Sequence, residues 1–279
     1  MELPYEISDF FCEGKKEGIP CEDRIVVLPG FVAVIDGATA KNDVLYDGKS
    51  SGYRAAECIS DVLGKLSPQT VMSEAVQHIT DGIGRLYEKY GIWEKAGFYP
   101  EYRFTASAVI YSVWYREVWI VGDCQALIAG ERYIYEKEID RLLSRIRASV
   151  IEKHIVDGYS IDEMMRKDPG RRYILPMLKD ILFFQNNHTP GIRYVYAVFD
   201  GFPVLYEMVK CIKVPKNTPL ILTSDGYPHI YDSFEQTKMS LQTLLRDDPL
   251  CFKKFKSTKG MVYGNRSFDD RSFIRILHP

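Results

Sequence analysis

Seven short apolar runs, each rich in valine, isoleucine or aromatic residues, limit what this sequence can fold into. Runs of this length and composition are typical of β-strands. Two stretches of helical periodicity separate the second run from the third, and further helical stretches follow Gly130 and occupy about 233–245. No repeat or linker-like tract divides the chain, so the sequence predicts one domain with amphipathic helices packed on sheet faces. The predicted strands cover residues 24–28, 31–35, 104–113, 117–121, 194–199, 219–223 and 272–277.

The charge balance and the cysteines limit the partners and the compartment. Lys and Arg total 36 against 38 Asp and Glu, a net charge of −2, so no overall basic field attracts nucleic acid or an anionic membrane. The 6 cysteines are widely spaced, without a CxxC pair or a histidine at zinc-ligand spacing. The first residues, MELPYEISDFF, lack the pattern of a signal peptide, and no segment approaches 18 consecutive apolar residues. We therefore expect a cytoplasmic protein with neither a nucleic-acid nor a membrane partner; nothing in the sequence indicates its oligomeric state.

Acidic residues stand at the ends of several predicted strands. FVAVIDG ends at Asp36-Gly37, EVWIVGD ends at Asp123, and LILTSDG ends at Asp225-Gly226. Glu22-Asp23 precedes the first predicted strand and Asp269-Asp270 the last. If these strands are neighbours, the carboxylates meet closely, which like-charge repulsion disfavours unless a cation lies among them. Oxygen ligands and few histidines favour magnesium or manganese over zinc.

The same pattern has a purely structural interpretation. Asp-Gly is a favoured turn dipeptide, and a third copy, Asp200-Gly201, looks like nothing more than a turn between strands. Taken alone, each Asp-Gly is more often a turn than a ligand. The ordered set of acidic motifs is harder to attribute to turns.

That ordered set resembles the motif series of the metal-dependent serine/threonine protein phosphatases of the 2C type. The resemblance extends along residues 22–276 and consists, in order, of Glu-Asp, Asp-Gly, Gly-Asp-Cys, Ser-Asp-Gly and Asp-Asp-Arg-Ser. The family's usual forms are Glu-Asp, Asp-Gly-His-Gly, Gly-Asp-Ser-Arg, Ser- or Cys-Asp-Gly and Asp-Asn-x-Thr. The resemblance implies an α+β fold, a four-layer α-β-β-α sandwich of two antiparallel sheets flanked by helices. Residues 1–279 would form a single phosphatase-like domain with a helical insertion at about 130–188.

The resemblance also implies a site with two Mn²⁺ or Mg²⁺ ions in a cleft at one end of the sandwich. Asp36 would bridge the ions, the Gly37 carbonyl would bind the second, and Asp225 and Asp269 would hold the first. The implied activity is hydrolysis of phosphate monoesters, above all phosphoserine and phosphothreonine on a phosphoprotein substrate, by attack of a water that bridges the ions. Asp36, Asp225 and Asp269 would be catalytic through that water.

Two more carboxylates have implied roles, and several positions depart from the family. Glu22 would act through metal-bound water, and Asp123 corresponds to the position of a third, weaker ion. Ala38 replaces a histidine proposed to help protonate the leaving group, and His229 stands where many members place an acidic ligand. Gly18 replaces the phosphate-binding arginine of animal members. These departures leave a second interpretation open, a catalytically weak pseudophosphatase that acts as a regulatory binding module.

The remaining polar residues have plainer interpretations. Residues 138–175 are locally basic, which is usually the solvated face of a helix, but an enlarged helical insertion could also form a basic lid that uses Arg171 and Arg172 to attract acidic substrates. We expect structural or exposed positions for His78, His154, His188, Ser107 and Ser224.

Overall fold

Two antiparallel five-stranded sheets form the centre of the computed structural model, which describes residues 4–277. The strands are β1 (Glu6–Glu13), β2 (Arg24–Val27), β3 (Phe31–Gly37), β4 (Ala106–Ser112), β5 (Glu117–Val121), β6 (Gln125–Ile128), β7 (Glu131–Ile134), β8 (Lys210–Lys213), β9 (Leu220–Thr223) and β10 (Arg271–Leu277). One sheet has the order β2-β3-β4-β5-β8, and the other has the order β1-β10-β9-β6-β7.

Seven α-helices accompany the sheets in the described part of the chain. They are α1 (Ser51–Leu63), α2 (Met72–Tyr90), α3 (Trp93–Phe98), α4 (Glu138–Val156), α5 (Ile161–Arg166), α6 (Pro169–Asp180) and α7 (Phe234–Asp247). None of the helices within residues 4–277 has the length and apolar character needed to cross a membrane.

The layers follow from which strand faces are apolar. Val34 and Ile120 of one sheet meet Leu222 and Ile274 of the other in a buried core between the sheets. The outer face of the first sheet packs on α1 and α2, and the outer face of the second packs on Phe234 and Leu241 of α7. The predicted α+β class, with two antiparallel sheets flanked by helices in four layers, is confirmed.

Six of the seven predicted strands are present, and the prediction for residues 194–199 is wrong. That segment makes only isolated bridges, Phe199 with Ala106 and Tyr196 with Gln185. Its side chains Tyr196 and Val198 are buried against α4 and α6. The side chain of Asn186 takes the place of a neighbouring strand, since it donates a hydrogen bond to the Val198 carbonyl and accepts one from the Val198 N–H. An apolar run therefore marks burial here without a sheet.

Helices α4, α5 and α6 lie between β7 and residue 188, and one buried arginine ties them to the C-terminal part of the chain. Arg147 is 0% exposed and donates from Nε and Nη2 to Asp168 Oδ2 at 3.0 and 2.6 Å. It also donates to the carbonyls of Leu250, Cys251 and Ser257. The interpretation of this basic stretch as a solvated face is therefore wrong at Arg147, whose charge is paired inside the protein.

Candidate active site

The carboxylates meet because the strand ends that carry them lie at one end of the sandwich. In the first sheet, Asp36 at the end of β3 pairs with Ser107 of β4, and β5 leads through Gly122 to Asp123. In the second sheet, Thr223 at the end of β9 pairs with Phe273 of β10, so Asp225 follows one strand close to where Asp269 precedes its neighbour. The two sheets face each other, and a cavity of about 580 Å³ opens between these ends.

Asp36 and Asp225 both line the cavity, and the positive charge of Lys259 acts on both from a distance. Burial raises the pKa of the Asp36 carboxyl well above its usual range, and the nearby charges of Asp225, Asp23 and Asp123 raise it further. Within residues 4–277, neither Asp36 nor Asp225 has a lysine, arginine or histidine nitrogen within 4.0 Å. Crowded carboxylates of this kind are stabilised by a cation.

Asp269 has a different environment, because two lysines bind it. Lys259 forms an ion pair with Asp269 Oδ2, and Lys15 Nζ lies 3.4 Å from Oδ1. Lys15 Nζ also lies 3.8 Å from Glu22 Oε2, so one ammonium group joins two of the predicted site carboxylates. The charges of Asp225 and Asp36 also act on Lys259. The side chain of Lys259 therefore supplies positive charge to the same carboxylates that the sequence assigns to metal binding.

Asp123, the predicted ligand of a third ion, is likewise occupied. Lys137 Nζ lies 2.7 Å from its Oδ2, and the Ser107 hydroxyl donates to its Oδ1 at 2.6 Å. Burial alone would raise the pKa of Asp123, but Lys137 and Ser107 outweigh it and lower that pKa. Ser107 thus positions a carboxylate at the cavity wall.

The segment that carries Glu22 is fixed by neighbouring residues. Asp270 accepts from the backbone N–H groups of Lys15 and Glu22 at 2.7 and 2.9 Å, and so joins residues near the start of the chain to β10. The Ser50 hydroxyl, which also caps α1, donates to the Glu22 carboxylate. A Cβ atom on Gly37 would lie 2.5 Å from the Gly52 carbonyl oxygen, so only glycine allows this packing.

The residues present fit a divalent cation in chemistry and charge, although the predicted ligand shell is not assembled as it stands. Within the described residues, no group of three or more His, Cys, Asp and Glu side chains could hold a metal ion in this arrangement. Asp269 and Asp123 instead pair with lysines. Asp36 and Asp225 form no ion pair within residues 4–277 and keep their oxygen donors, which suit magnesium or manganese.

The walls of the cavity are basic, which the acidic motifs did not reveal. Lysines and arginines reach it from the loop after β3, from β7, from α4, from α6 and from residues 248–260, here called the C-terminal loop. These segments share no periodic pattern, so only the fold brings their charges together. The basic wall consists of Lys41, Arg132, Lys137, Arg141, Arg145, Arg171, Lys256 and Lys259.

The structure separates the two arginines of the lid hypothesis. Arg171 lines the cavity and donates from Nη1 to the Thr258 carbonyl at 2.9 Å. Arg172 is exposed and does not line the cavity. The lid hypothesis therefore applies to Arg171 and not to Arg172.

The other candidates fall outside the site or at its rim. His229 and Ala38 line the cavity, and burial together with Arg132 lowers the pKa of His229. Asp200, in the third Asp-Gly, is 0% exposed and pairs with Arg103 at 2.9 Å. The residues expected to be structural, apart from Ser107, do not line the cavity as the structure describes it: His78, His154, His188 and Ser224.

The chain is similar to known proteins in its structure and not in its sequence. The sequence matches no protein-family model and no curated protein. Its structure is similar to a bacterial serine phosphatase, with 15% identity, a TM-score of 0.48 and 98% of each chain covered. The serine/threonine phosphatase Stp1 from Staphylococcus aureus gives 15% identity, a TM-score of 0.45 and coverage of 99% of this chain and 97% of that one.

A third similar structure is the catalytic domain of the serine/threonine protein phosphatase PstP in complex with 2 manganese ions, with 11% identity, a TM-score of 0.44 and coverage of 97% of this chain and 98% of that one. At such low identity, the activity of this chain has to be judged from the residues of its own cavity.

Proposed function

We propose that this chain is a phosphatase that hydrolyses phosphate monoesters, with phosphoserine and phosphothreonine on proteins as substrates and Mn²⁺ or Mg²⁺ as cofactor. One observation carries the proposal: Asp36 and Asp225, which form no ion pair within residues 4–277 and are here called the carboxylate floor, line the same cavity as a group of lysines and arginines. The carboxylate floor attracts divalent cations, and the basic wall attracts phosphate. Phosphoryl transfer uses both kinds of charge.

The cations would be held by Asp36, the Gly37 carbonyl and Asp225, and by Asp269 once Lys259 moves away. Bound there, they would neutralise the phosphoryl oxygens and make the attacking water more acidic. Glu22, which the Ser50 hydroxyl orients, would contribute from farther back. The basic wall would orient the phosphate group over the floor.

The leaving group needs a proton that the cavity does not supply at the expected place. Hydrolysis forms a bond between the water oxygen and phosphorus and breaks the ester P–O bond, so a departing serine or threonine oxygen must collect a proton. Ala38 lines the cavity beside Gly37 and has no proton to give. Aryl phosphates need less help, because an aryl oxygen leaves as a more stable anion. We therefore expect hydrolysis to be faster for aryl phosphates than for phosphoserine peptides.

The test is the release of phosphate from a panel of phosphopeptides and aryl phosphates with saturating manganese. Phosphate release in the presence of manganese would support the proposed activity. Faster release from the aryl phosphates would support the absence of a side chain that protonates the leaving group. Similar rates for both substrate types would show that another group supplies the proton. No release from any substrate, by protein to which manganese is bound, would overturn the proposed activity.

A second function is favoured by a specific observation, the ion pairs of Lys137 with Asp123 and of Lys259 with Asp269. If these lysines do not leave, the protein would be a pseudophosphatase that binds phosphorylated partners without hydrolysing them. Binding of a phosphopeptide without turnover, in the presence of manganese, would identify this case.

A further inference from the structure

Two cations of the basic wall, Lys41 and Arg171, line the same cavity as Lys259, and the charges of Arg171 and Lys259 act on Lys41. Lys41 Nζ donates to the Thr39 carbonyl at 2.6 Å, and Arg171 Nη1 donates to the Thr258 carbonyl. Both acceptors are neutral. Within residues 4–277, neither side chain has a carboxylate oxygen within 4.0 Å.

The environment of Lys41 is unfavourable for a cation. Its partial burial, together with the positive charges of Arg171 and Lys259, lowers its pKa to about 7. Asp140 and Glu22 act in the opposite direction but do not compensate. Like charges held together in a partly desolvated place are stabilised by a counterion.

A rigid network holds Arg171 in place. Asp168 caps α6 by accepting from the Arg171 backbone N–H at 2.7 Å, and the same carboxylate accepts from the buried Arg147. Arg147 in turn binds the backbone of the C-terminal loop, which carries Lys259. The position of Arg171 relative to the cavity is therefore set by buried hydrogen bonds, as expected for a preorganised binding residue.

The cavity is larger than one phosphate group requires. Its volume, about 580 Å³, lies within the range of sites that bind whole ligands, and the carboxylate floor occupies only one part of its lining. Room remains for a second anionic group of the same substrate beside the one at the floor.

We propose that Lys41 and Arg171 form an oxyanion site that binds a second phosphate or carboxylate group of the substrate. The site would select peptides in which another phosphorylated or acidic residue lies close to the phosphoserine or phosphothreonine that is hydrolysed. This inference rests on the proposed function, since it names the substrate class of the same cavity. Arginine suits this role because its planar guanidinium binds two oxygens at once.

The test measures binding to the full-length protein by fluorescence anisotropy, without added divalent cation so that the peptides stay intact. Three labelled peptides of one sequence are compared, with phosphoserine alone, with a second phosphoserine, and with two glutamates in place of the second phosphoserine. The variants are Lys41→Met, Arg171→Met and the matched control Arg172→Met, which changes the adjacent exposed arginine. Thermal unfolding shows whether each variant is folded.

We expect the wild-type protein to bind the doubly charged peptides about tenfold more tightly than the singly phosphorylated one, since the second group forms charge-assisted hydrogen bonds with Lys41 and Arg171. Arg171→Met and Lys41→Met should each lose most of that preference, and Arg172→Met should keep it. If only the doubly phosphorylated peptide gains affinity, the second group is a phosphate; if the glutamate peptide gains equally, a carboxylate suffices.

The result that would overturn the oxyanion site is equal affinity of the wild-type protein for all three peptides, or an equal effect of Arg171→Met and Arg172→Met. If Arg171→Met does not fold, Lys41→Met decides the question alone. Failure of the proposed phosphatase activity gives a different result, selective binding without hydrolysis when manganese is added. Hydrolysis without selectivity would leave the activity intact and remove the oxyanion site.

Discussion

Lys259, which lines the cavity, forms an ion pair with Asp269, a residue that the sequence predicts as a metal ligand. The same ammonium group feels the charges of Asp225 and Asp36. A lysine side chain and a divalent cation would therefore compete for one set of carboxylates. This competition has a measurable consequence.

Replacing Lys259 by methionine should strengthen metal binding. The change frees Asp269 and removes a positive charge that repels the incoming ion, so we expect the affinity for Mn²⁺ to increase about tenfold, within the usual size of coupling between two sites. Isothermal titration calorimetry measures this directly. Lys256→Met is the matched control, because Lys256 lines the same cavity from the same loop but is exposed. Equal affinities in the two variants, or weaker binding in Lys259→Met, would rule out competition.

The buried Arg147 should be essential for stability. Methionine at this position would leave Asp168 and three backbone carbonyls without their donor, and breaking one partner of a buried ion pair costs about 3–5 kcal/mol. We expect the free energy of unfolding, measured with urea, to fall by about that amount. Arg172→Met, on the exposed side of α6, should change it by less than about 0.5 kcal/mol. Similar stabilities of the two variants would contradict a structural role for the Arg147 network.

Lys41 should make stability depend on pH above neutrality. Its pKa is about 7 in the folded protein and about 10.4 in an unfolded chain, so between these values the unfolded state binds more protons and stability rises with pH. The groups that act on it are Arg171 from α6, Lys259 from the C-terminal loop, Asp140 from α4 and Glu22 from the segment before β2.

The Lys41→Met variant lacks this titration. We expect its stability advantage over the wild-type protein to be largest below pH 7 and to shrink as the pH rises toward 10. Urea unfolding at several pH values measures the difference, with the exposed Lys65→Met as a control. A difference that stays constant between pH 6 and pH 9 would show that Lys41 is not forced into an unfavourable charged state.

The carboxylate floor should be costly without metal. Asp36→Asn and Asp225→Asn each remove one of two neighbouring negative charges, so in EDTA each variant should be at least as stable as the wild-type protein. Both should also lose metal-dependent hydrolysis. Differential scanning calorimetry in EDTA gives the comparison. Unfolding of both variants would indicate that these residues shape the turns and do not form a metal site.

The sheets were predictable where a strand is buried on both faces. β3, β4 and β9 are continuous apolar runs in the sequence, and they form the centre of the two sheets. β1, β7 and β8 were not predicted, because each lies at the edge of a sheet and is short or alternates with charged residues. β6 was also missed, although it is buried inside its sheet, because its apolar run is too short to stand out in the sequence. β1 and β8 pair with strands that are distant in sequence, whereas β7 pairs with the adjacent β6.

The residues of the cavity likewise fall into those that the sequence predicts and those that it does not. Asp36 and Asp225 could be found because each follows a buried strand directly, and the end of a strand fixes where such a residue lies. The cations of the cavity could not be predicted, because Lys41, Arg171 and Lys259 come from a loop, a helix and a second loop that are far apart in sequence. Arg147 holds the last two of these segments together through its hydrogen bonds. Acidic motifs thus identified the floor, and only the folded chain places the cations above it.

The most direct test is the rate of phosphate release from a phosphoserine peptide as the concentration of Mn²⁺ is raised, for the wild-type protein and for Asp225→Asn. We expect a rate that rises and saturates with Mn²⁺ in the wild-type protein and is abolished in Asp225→Asn, because Asp225 supplies charge and oxygen donors to the cation site. A wild-type protein that binds Mn²⁺ and releases no phosphate, or a rate that is the same in both proteins, would contradict metal-dependent phosphatase activity at this cavity.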